Sequence, residues 1–92
     1  MRIQLSKFGD MLVSRESGRE AFLAFQPTLS KWPEQEKLEI DFNGVDVFNP
    51  SWADEFITPL INKYGDKVVL LSSDNPSVVA TLKLLNREVW KR

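Results

Sequence analysis

Residues 41–55, DFNGVDVFNPSWADE, carry the pattern that decides the fold. Apolar and polar residues alternate up to Phe42 and predict a strand, Asn43-Gly44 predicts a turn, and Ser51 with two acids behind it predicts a helix start. In an open α/β sheet, a junction of this kind lies at the carboxyl end of the strands, where ligands bind. The stretch therefore favours a binding surface around Ser51 over a catalytic centre.

The length and composition of the chain limit the kinds of function that it can have. The chain has 92 residues, and we predict a single domain over residues 1–92. It contains no histidine and no cysteine, which removes imidazole bases, thiolate nucleophiles, disulfides and zinc sites built from either residue. Its 12 basic and 13 acidic residues are interspersed, which is not typical of a nucleic-acid or anionic-membrane surface.

The location is predicted from the lack of membrane and export patterns. No apolar run approaches the ~20 residues needed to cross a bilayer. The first residues, MRIQLSK, have no apolar signal-peptide region. We therefore expect a cytoplasmic protein with no membrane and no nucleic-acid partner.

Four segments have the apolar patterns of strands: residues 3–5, 11–13, 38–42 and 68–71. The last segment, Val68-Val69-Leu70-Leu71, is a continuous apolar run, which is typical of a central strand covered on both faces. Strands that alternate with helices imply parallel pairing with right-handed connections. The order β-(β)-α-β-α-β-α predicts an α/β fold in two or three layers, with a small, mostly parallel sheet of three to five strands and about three helices.

Three segments have helical patterns. Ser14 predicts the N-cap of the first helix, which Pro27 should kink or end near residues 25–26. The second helix begins at Ser51, and its apolar stripe comprises Trp52, Ala53, Phe56, Ile57, Leu60, Ile61 and Tyr64. Asn75 or Asp74 caps the third helix, and its inner stripe comprises Val78, Val79, Leu82, Leu85 and Val89.

Four short segments follow one another along the chain in an informative order and spacing. They are Phe8-Gly9, Ser14-Arg15, Asp41-Phe42-x-Gly44-Val45 and Phe48-x-x-Ser51-Trp52-Ala53-Asp54-Glu55-Phe56. In this order and spacing they resemble the STAS-like domains, and more closely a small bacterial group described as a STAS-like domain of unknown function. The resemblance implies a STAS-like fold. In the anti-sigma-factor antagonists of the wider family, a kinase-like anti-sigma factor phosphorylates a serine at this junction and thereby releases the partner.

By position, Ser51 matches that serine of the antagonists. The surrounding segment differs, because Asn49 stands in the place of an aspartate, Pro50 in that of a first serine and Trp52 in that of a glycine. Because its position matches, the resemblance makes Ser51 the candidate phosphorylation site.

A structural interpretation of Ser51 stands beside the functional one. The Ser51 oxygen can accept from the Asp54 N–H while the Asp54 side chain reaches back, in a Ser-x-x-Asp variant of the capping box. A phosphate at this position would gain from the helix N-terminus but would be repelled by Asp54 and Glu55. We favour capping over a phosphorylation switch and keep both hypotheses.

The candidate surface for a partner combines the loop of residues 43–50 with the start of the second helix. The residues assigned to it are Asp46, Asn49, Ser51, Trp52, Asp54 and Glu55. Trp52 is expected in the core, although an indole in the first helical turn can also anchor an interface. Arg15 and Arg19 lie four residues apart, where they either clamp an acidic partner or remain solvated.

The acidic residues near the junction do not predict a metal site. Asp54 and Glu55 are adjacent on a helix, so their side chains point about 100° apart and do not converge on one ion. Asp41, Asp46 and Asp54 would at most give a weak Mg²⁺ site, and a solvated turn is favoured. No metal and no cofactor is predicted.

The function predicted from these features is a non-enzymatic, regulatory protein-interaction module. The partner implied by the resemblance is a protein, either a kinase-like ATPase or an anti-sigma-type regulator. A nucleotide or small-ligand binding domain is the alternative, disfavoured because no glycine-rich phosphate loop follows a strand. A structural subunit of a larger assembly is the third possibility.

Overall fold

The computed structural model describes residues 1–33 and 35–85. Its strands are β1 (Arg2–Gln4), β2 (Met11–Leu12), β3 (Leu38–Asp41), β4 (Val47–Phe48) and β5 (Val68–Leu70). Its α-helices are α1 (Arg15–Leu29), α2 (Pro50–Tyr64) and α3 (Pro76–Leu84). Within the described ranges, no helix combines the length and the apolar composition that crossing a membrane requires. Val89, predicted on the third helix, lies outside the described residues.

The larger sheet has β3 at its centre, in the order β1-β3-β5, and all three strands run parallel. The register pairs Ile40 with Ile3 on one side and with Leu70 on the other. β2 and β4 form a second parallel sheet of two strands. The predicted α/β fold with a small parallel sheet is confirmed. The prediction that residues 68–71 form the central strand is wrong, because β5 is an edge strand among the described strands, with Val69 only half-buried.

The two-stranded sheet brings the starts of α1 and α2 together. Leu12 pairs with Phe48, and the Asn49 N–H donates to the Leu12 carbonyl at 2.9 Å. Directly after these residues, α1 begins at Arg15 and α2 begins at Pro50. The sequence predicted a loop over residues 43–50, and this prediction missed β4, which is too short to show a periodic pattern.

Side chains of α3 bind the edge of β4 that faces away from β2. The Ser77 hydroxyl oxygen accepts from the Phe48 N–H at 3.0 Å, and Thr81 Oγ1 donates to the Phe48 carbonyl at 2.6 Å. An exposed strand edge would leave these backbone groups to water or to another chain. The helix therefore both protects this edge and fixes β4 in the sheet.

The buried residues of all strands and helices form one core. Four aromatic rings, those of Phe8, Phe22, Phe25 and Trp52, surround Phe56 at centroid distances from 5.0 to 6.1 Å. The other face of the larger sheet is polar, and Arg2 there bonds Glu39 of the neighbouring strand at 3.0 Å. The protein is therefore a two-layer α/β structure with its helices on one side of the sheet.

Helix α1 continues through Pro27 and ends at Leu29, so the predicted end near residues 25–26 is wrong, and the kink offered as its alternative stays a prediction. Proline removes one helical hydrogen bond, here to the carbonyl of Leu23. Both Leu23 and Pro27 are exposed, so water can bond that carbonyl and the cost is small. The predicted cap at the other end is confirmed, because Ser14 Oγ accepts from the Ser17 N–H at 3.0 Å.

Candidate functional site

The first turn of α2 lies at the carboxyl end of β4, the end of a parallel sheet at which ligands bind. Most of the residues that the sequence assigned to a partner surface lie in or beside this turn. The structure gives them different roles: one caps the helix, one fills the core, two form an exposed charged cluster, and Ser51 has none of these roles.

Asn49, rather than Ser51, caps α2. Asn49 Oδ1 accepts from the Ser51 N–H at 3.1 Å, Asn49 has an extended backbone, and Pro50 occupies the first helical position. Proline fits that position because its fixed φ is helical and its missing N–H would have no partner there. The predicted Ser-x-x-Asp capping box at Ser51 and Asp54 is therefore wrong, and the cap lies two residues earlier.

Because Asn49 caps α2, the Ser51 hydroxyl has no structural role within the described residues. Ser51 is half-buried, and its hydroxyl makes no hydrogen bond to any residue within 1–33 and 35–85. Serines at the starts of the other two helices differ. Ser14 Oγ caps α1, and Ser77 Oγ bonds both Phe48 and Asn75.

Trp52 belongs to the core and not to a partner surface. Its side chain is completely buried, and its ring stacks on Phe56 at 5.0 Å. Its backbone contacts Gly18, since a Cβ built at Gly18 would lie 2.6 Å from the Trp52 carbonyl oxygen. The expectation of a core tryptophan is confirmed, and its candidacy as an interface anchor is contradicted because none of it reaches the surface. The buried indole N–H has no hydrogen-bond partner within the described residues.

Asp54 and Glu55 form a charged cluster with the first turn of α1. Arg15 Nη1 donates to Asp54 Oδ2 at 3.1 Å and to Glu55 Oε2 at 2.8 Å. Arg19 Nε lies 3.8 Å from Glu55 Oε1, and Asp54 also accepts a hydrogen bond from Thr58. Arg15 and Arg19 therefore bind acids of their own chain while their side chains stay 51% and 58% exposed, as the solvated alternative expected. That they clamp an acidic partner stays a prediction.

The two hydrogen bonds raise the pKa of Arg15 above its usual value, with the bond to Glu55 as the largest cause and the bond to Asp54 next. A pKa that is higher in the folded state adds stability below the unfolded-state value, and this stability disappears only as the pH rises through the folded-state value. The arginine side chain is protonated throughout the physiological range even at its usual pKa. The Arg15 guanidinium therefore stays charged at every physiological pH.

Asp46 is exposed, and its backbone is tied to α3. The Asn75 amide donates to the carbonyls of Val45 at 2.7 Å and of Asp46 at 3.0 Å, while Asn75 Oδ1 accepts from the Ser77 N–H at 2.8 Å. Asn75 thus caps α3, as predicted, and also holds the segment before β4. The sequence did not indicate this second role, because the contact spans 30 residues.

A polar cleft of about 280 Å³ lies between the segments that follow β3 and β5. Its lining is formed by residues 42–45 and 72–75. No group of three or more His, Cys, Asp or Glu side chains suited to a metal ion is present in the described part of the chain. Asp41 instead accepts from the Asn43 N–H at 3.0 Å, as in a common turn.

The geometry of the fold agrees with a comparison against known families. The model of a family described as "STAS-like domain of unknown function (DUF4325)" matches residues 21–78, more than half of the chain. The chain belongs to this family. The resemblance seen in the sequence segments is thereby confirmed, and the parallel sheet with three helices is consistent with a STAS-like fold. No curated protein and no solved structure gives a significant match.

The match to the STAS-like family includes the whole of α2, and with it Ser51, Asp54 and Glu55. Arg15 precedes the matched residues. The description of the STAS-like family assigns no activity.

Proposed function

We propose that this STAS-like domain is a cytoplasmic, non-enzymatic interaction module, that a protein partner binds around the first turn of α2, and that phosphorylation of Ser51 controls the binding. The proposed surface, termed the Ser51 face, consists of Ser51, Asp54 and Glu55 of α2 with Arg15 of α1. The observation that carries the proposal is the Ser51 hydroxyl, which is half-buried at this turn and serves neither as cap nor in the core.

The Ser51 face has the composition of a polar recognition surface. The side chains of Arg15 and Asp54 are 51% and 41% exposed, and Glu55 is partly exposed beside them. Complementary charges fix the orientation of a partner and exclude wrong partners more than they add affinity. A protein with an opposed pattern of charges would therefore be selected at this face.

Phosphorylation would change the charge of the Ser51 face strongly. Arg15 and Arg19 balance Asp54 and Glu55, so the cluster is close to neutral. A phosphoserine adds about 1.5 to 2 negative charges at neutral pH. A partner that fits the neutral cluster would then be repelled. By analogy with the anti-sigma-factor antagonists, the proposed partner is a kinase-like ATPase or an anti-sigma-type regulator.

The same inventory of residues supports a role without catalysis. Histidine and cysteine do not occur in the chain, and the carboxylates of the Ser51 face are both bonded by Arg15. To activate a serine as a nucleophile, a base must accept its proton through a hydrogen bond, and the Ser51 hydroxyl makes none within the described residues. Ser51 therefore has no general base next to it that would make it a nucleophile.

The proposal predicts that phosphoserine at position 51 abolishes capture of a protein that the unmodified domain binds. The unmodified domain, the Ser51→Ala variant and the domain with phosphoserine at position 51 are immobilised, and captured proteins from a native lysate are quantified by mass spectrometry. We expect one protein to be recovered equally by the first two and at least about tenfold less by the third, the loss that 1.4 kcal/mol produces.

A matched control carries phosphoserine in place of Thr28, which is exposed at the far end of α1. This control adds the same charge about 20 Å from Arg15 along the helix, at 1.5 Å per residue. It should retain the captured protein. If no protein is recovered differently with position 51 modified, or if the Thr28 control loses the same protein, the proposal is wrong.

A further inference from the structure

We propose that Arg15 is the phosphate-binding residue of the Ser51 face: on phosphorylation its guanidinium moves from Asp54 and Glu55 to phosphoserine 51. This inference rests on the proposed phosphorylation of Ser51. It adds the group that receives the phosphate and the contact that is given up in exchange.

The first observation is the position of Arg15 over one side of α2. Ser51, Asp54 and Glu55 are related by steps of three and four residues, so their side chains are neighbours on the helix surface. The Arg15 guanidinium bonds both carboxylates of this side. A phosphate on Ser51 would therefore lie one turn from a cation that is already in place.

The second observation is the donor capacity of Arg15. Both hydrogen bonds leave from the same nitrogen, Nη1. Within the described residues, Nη2 and Nε make no hydrogen bond. A guanidinium has five N–H donors in a planar fork, and the fork matches two oxygens of a phosphate. Arg15 has the unused donors that a phosphate requires.

The third observation is the rigid placement of the two helices. The contact between Gly18 and the Trp52 backbone holds α1 against α2 one residue beyond Ser51. Arg15 lies one turn before Gly18 on α1, so the start of α1 cannot move away from the start of α2 while that contact exists. The Arg15 side chain needs only to rotate, because the backbone distance is fixed by the core.

Arg19 is the other cation of the cluster, and it is less well placed for a phosphate at position 51. Its Nε lies 3.8 Å from Glu55 and is one turn further along α1. A phosphate carries more charge than a carboxylate, and arginine bonds to phosphate are among the strongest hydrogen bonds in proteins. The exchange therefore favours phosphate over the carboxylates, and Arg15 over Arg19.

The test follows the ionisation of the phosphate itself. Phosphoserine is incorporated at position 51 of the full chain, and its second ionisation is titrated by ³¹P NMR in the otherwise wild-type protein and in the Arg15→Gln and Arg19→Gln variants. A cation bonded to the phosphate favours the doubly charged form and lowers its pKa. We expect Arg15→Gln to raise the titration midpoint by about 0.5 pH unit or more, and Arg19→Gln to raise it by less than half of that.

An equal midpoint in the wild-type and Arg15→Gln proteins would overturn the inference, as would a larger effect of Arg19→Gln. Amide spectra of each variant verify the fold, which both substitutions should preserve because the two arginines are exposed. The titration uses the isolated domain and needs no partner. A midpoint that depends on Arg15 together with unchanged protein capture would therefore retain the phosphate contact and refute only the partner-binding proposal.

Discussion

Gly18 fixes the distance between α1 and α2, and its replacement is expected to separate them. A Cβ at this position would lie 2.6 Å from the Trp52 carbonyl oxygen and 3.0 Å from its Cα, both backbone atoms of a buried helix. Alanine would gain about 1 kcal/mol in helix propensity, but overpacking costs about 1–3 kcal/mol or more. We expect Gly18→Ala to lower the unfolding free energy by about 2 kcal/mol in urea titrations.

The exposed Glu20→Ala variant on the same helix is the control for Gly18→Ala and should stay within about 0.5 kcal/mol of the wild type. A Gly18→Ala protein as stable as this control would show that the two helices can separate at little cost. Such a result would also mean that the contact at Gly18 does not hold Arg15 near Ser51.

For single residues near the site, the sequence indicated which ones could cap a helix or fill the core, but it did not always indicate which role each one takes. Asn49 and Ser51 are both common caps, and the sequence interpretation chose Ser51 although Pro50 between them indicates a helix that starts at the proline. Trp52 was expected in the core and lies there. The role of Arg15 was missed because its partners, Asp54 and Glu55, are 39 and 40 residues away along the chain.

At the scale of elements, α3 holds the segment before β4 through Asn75. We expect substitutions of Asn75 to lower the folding stability in two separable parts, one from the helix cap and one from the bonds to that segment. Asn75→Ala removes the α3 cap, worth about 1 kcal/mol. It also leaves the Val45 carbonyl without its amide donor and the Asp46 carbonyl with only the 3.4 Å bond from Ser77 Oγ, for about 1 kcal/mol more. Asn75→Asp keeps an acceptor for the Ser77 and Val78 N–H groups but loses the donor. We expect Asn75→Asp to lose about half as much stability in urea titrations as Asn75→Ala.

Amide hydrogen exchange separates the two roles of Asn75. The Ser77 and Val78 amides should stay protected in Asn75→Asp and lose protection in Asn75→Ala. Equal stability of Asn75→Asp and the wild type would mean that the amide bonds to Val45 and Asp46 contribute nothing measurable.

Elements with long periodic patterns were predicted well, and short ones were not. The apolar stripe of α2 indicated a helix that the structure places over Pro50–Tyr64. β4 has two residues and no pattern of its own, and it exists because β2 and α3 bind its two edges. The early end or kink predicted for α1 rested on the rule that proline interrupts the hydrogen bonds of a helix. Pro27 is exposed, so continuing the helix through it costs little free energy.

At the scale of the whole molecule, the parallel order of strands followed from the alternation of strands and helices, but the order β1-β3-β5 did not. The apolar run Val68-Val69-Leu70-Leu71 looked like a central strand, yet β3, with its alternating pattern, occupies the centre. A two-layer structure buries only one face of each strand. Local hydrophobicity therefore does not identify the central strand in so small a domain.

The aromatic cluster around Phe56 joins α1 and α2 to the segment after β1, so the stability of the whole domain should depend on this cluster. The Phe56 side chain is completely buried, and four aromatic rings surround it. We expect Phe56→Ala to cost about 3–5 kcal/mol, a large share of the total stability of about 5–14 kcal/mol that a chain of this length has at 0.05–0.15 kcal/mol per residue.

The control for Phe56→Ala is Phe22→Ala, since Phe22 is half-buried and contacts the cluster through its ring pair with Phe56. It should lose clearly less stability. Urea unfolding followed by circular dichroism and by tryptophan fluorescence measures both variants, and coincident transitions would show that the domain unfolds as one unit. If Phe22→Ala cost as much as Phe56→Ala, the stability would be spread over the periphery of the cluster, and Phe56 would not be the centre that the packing indicates.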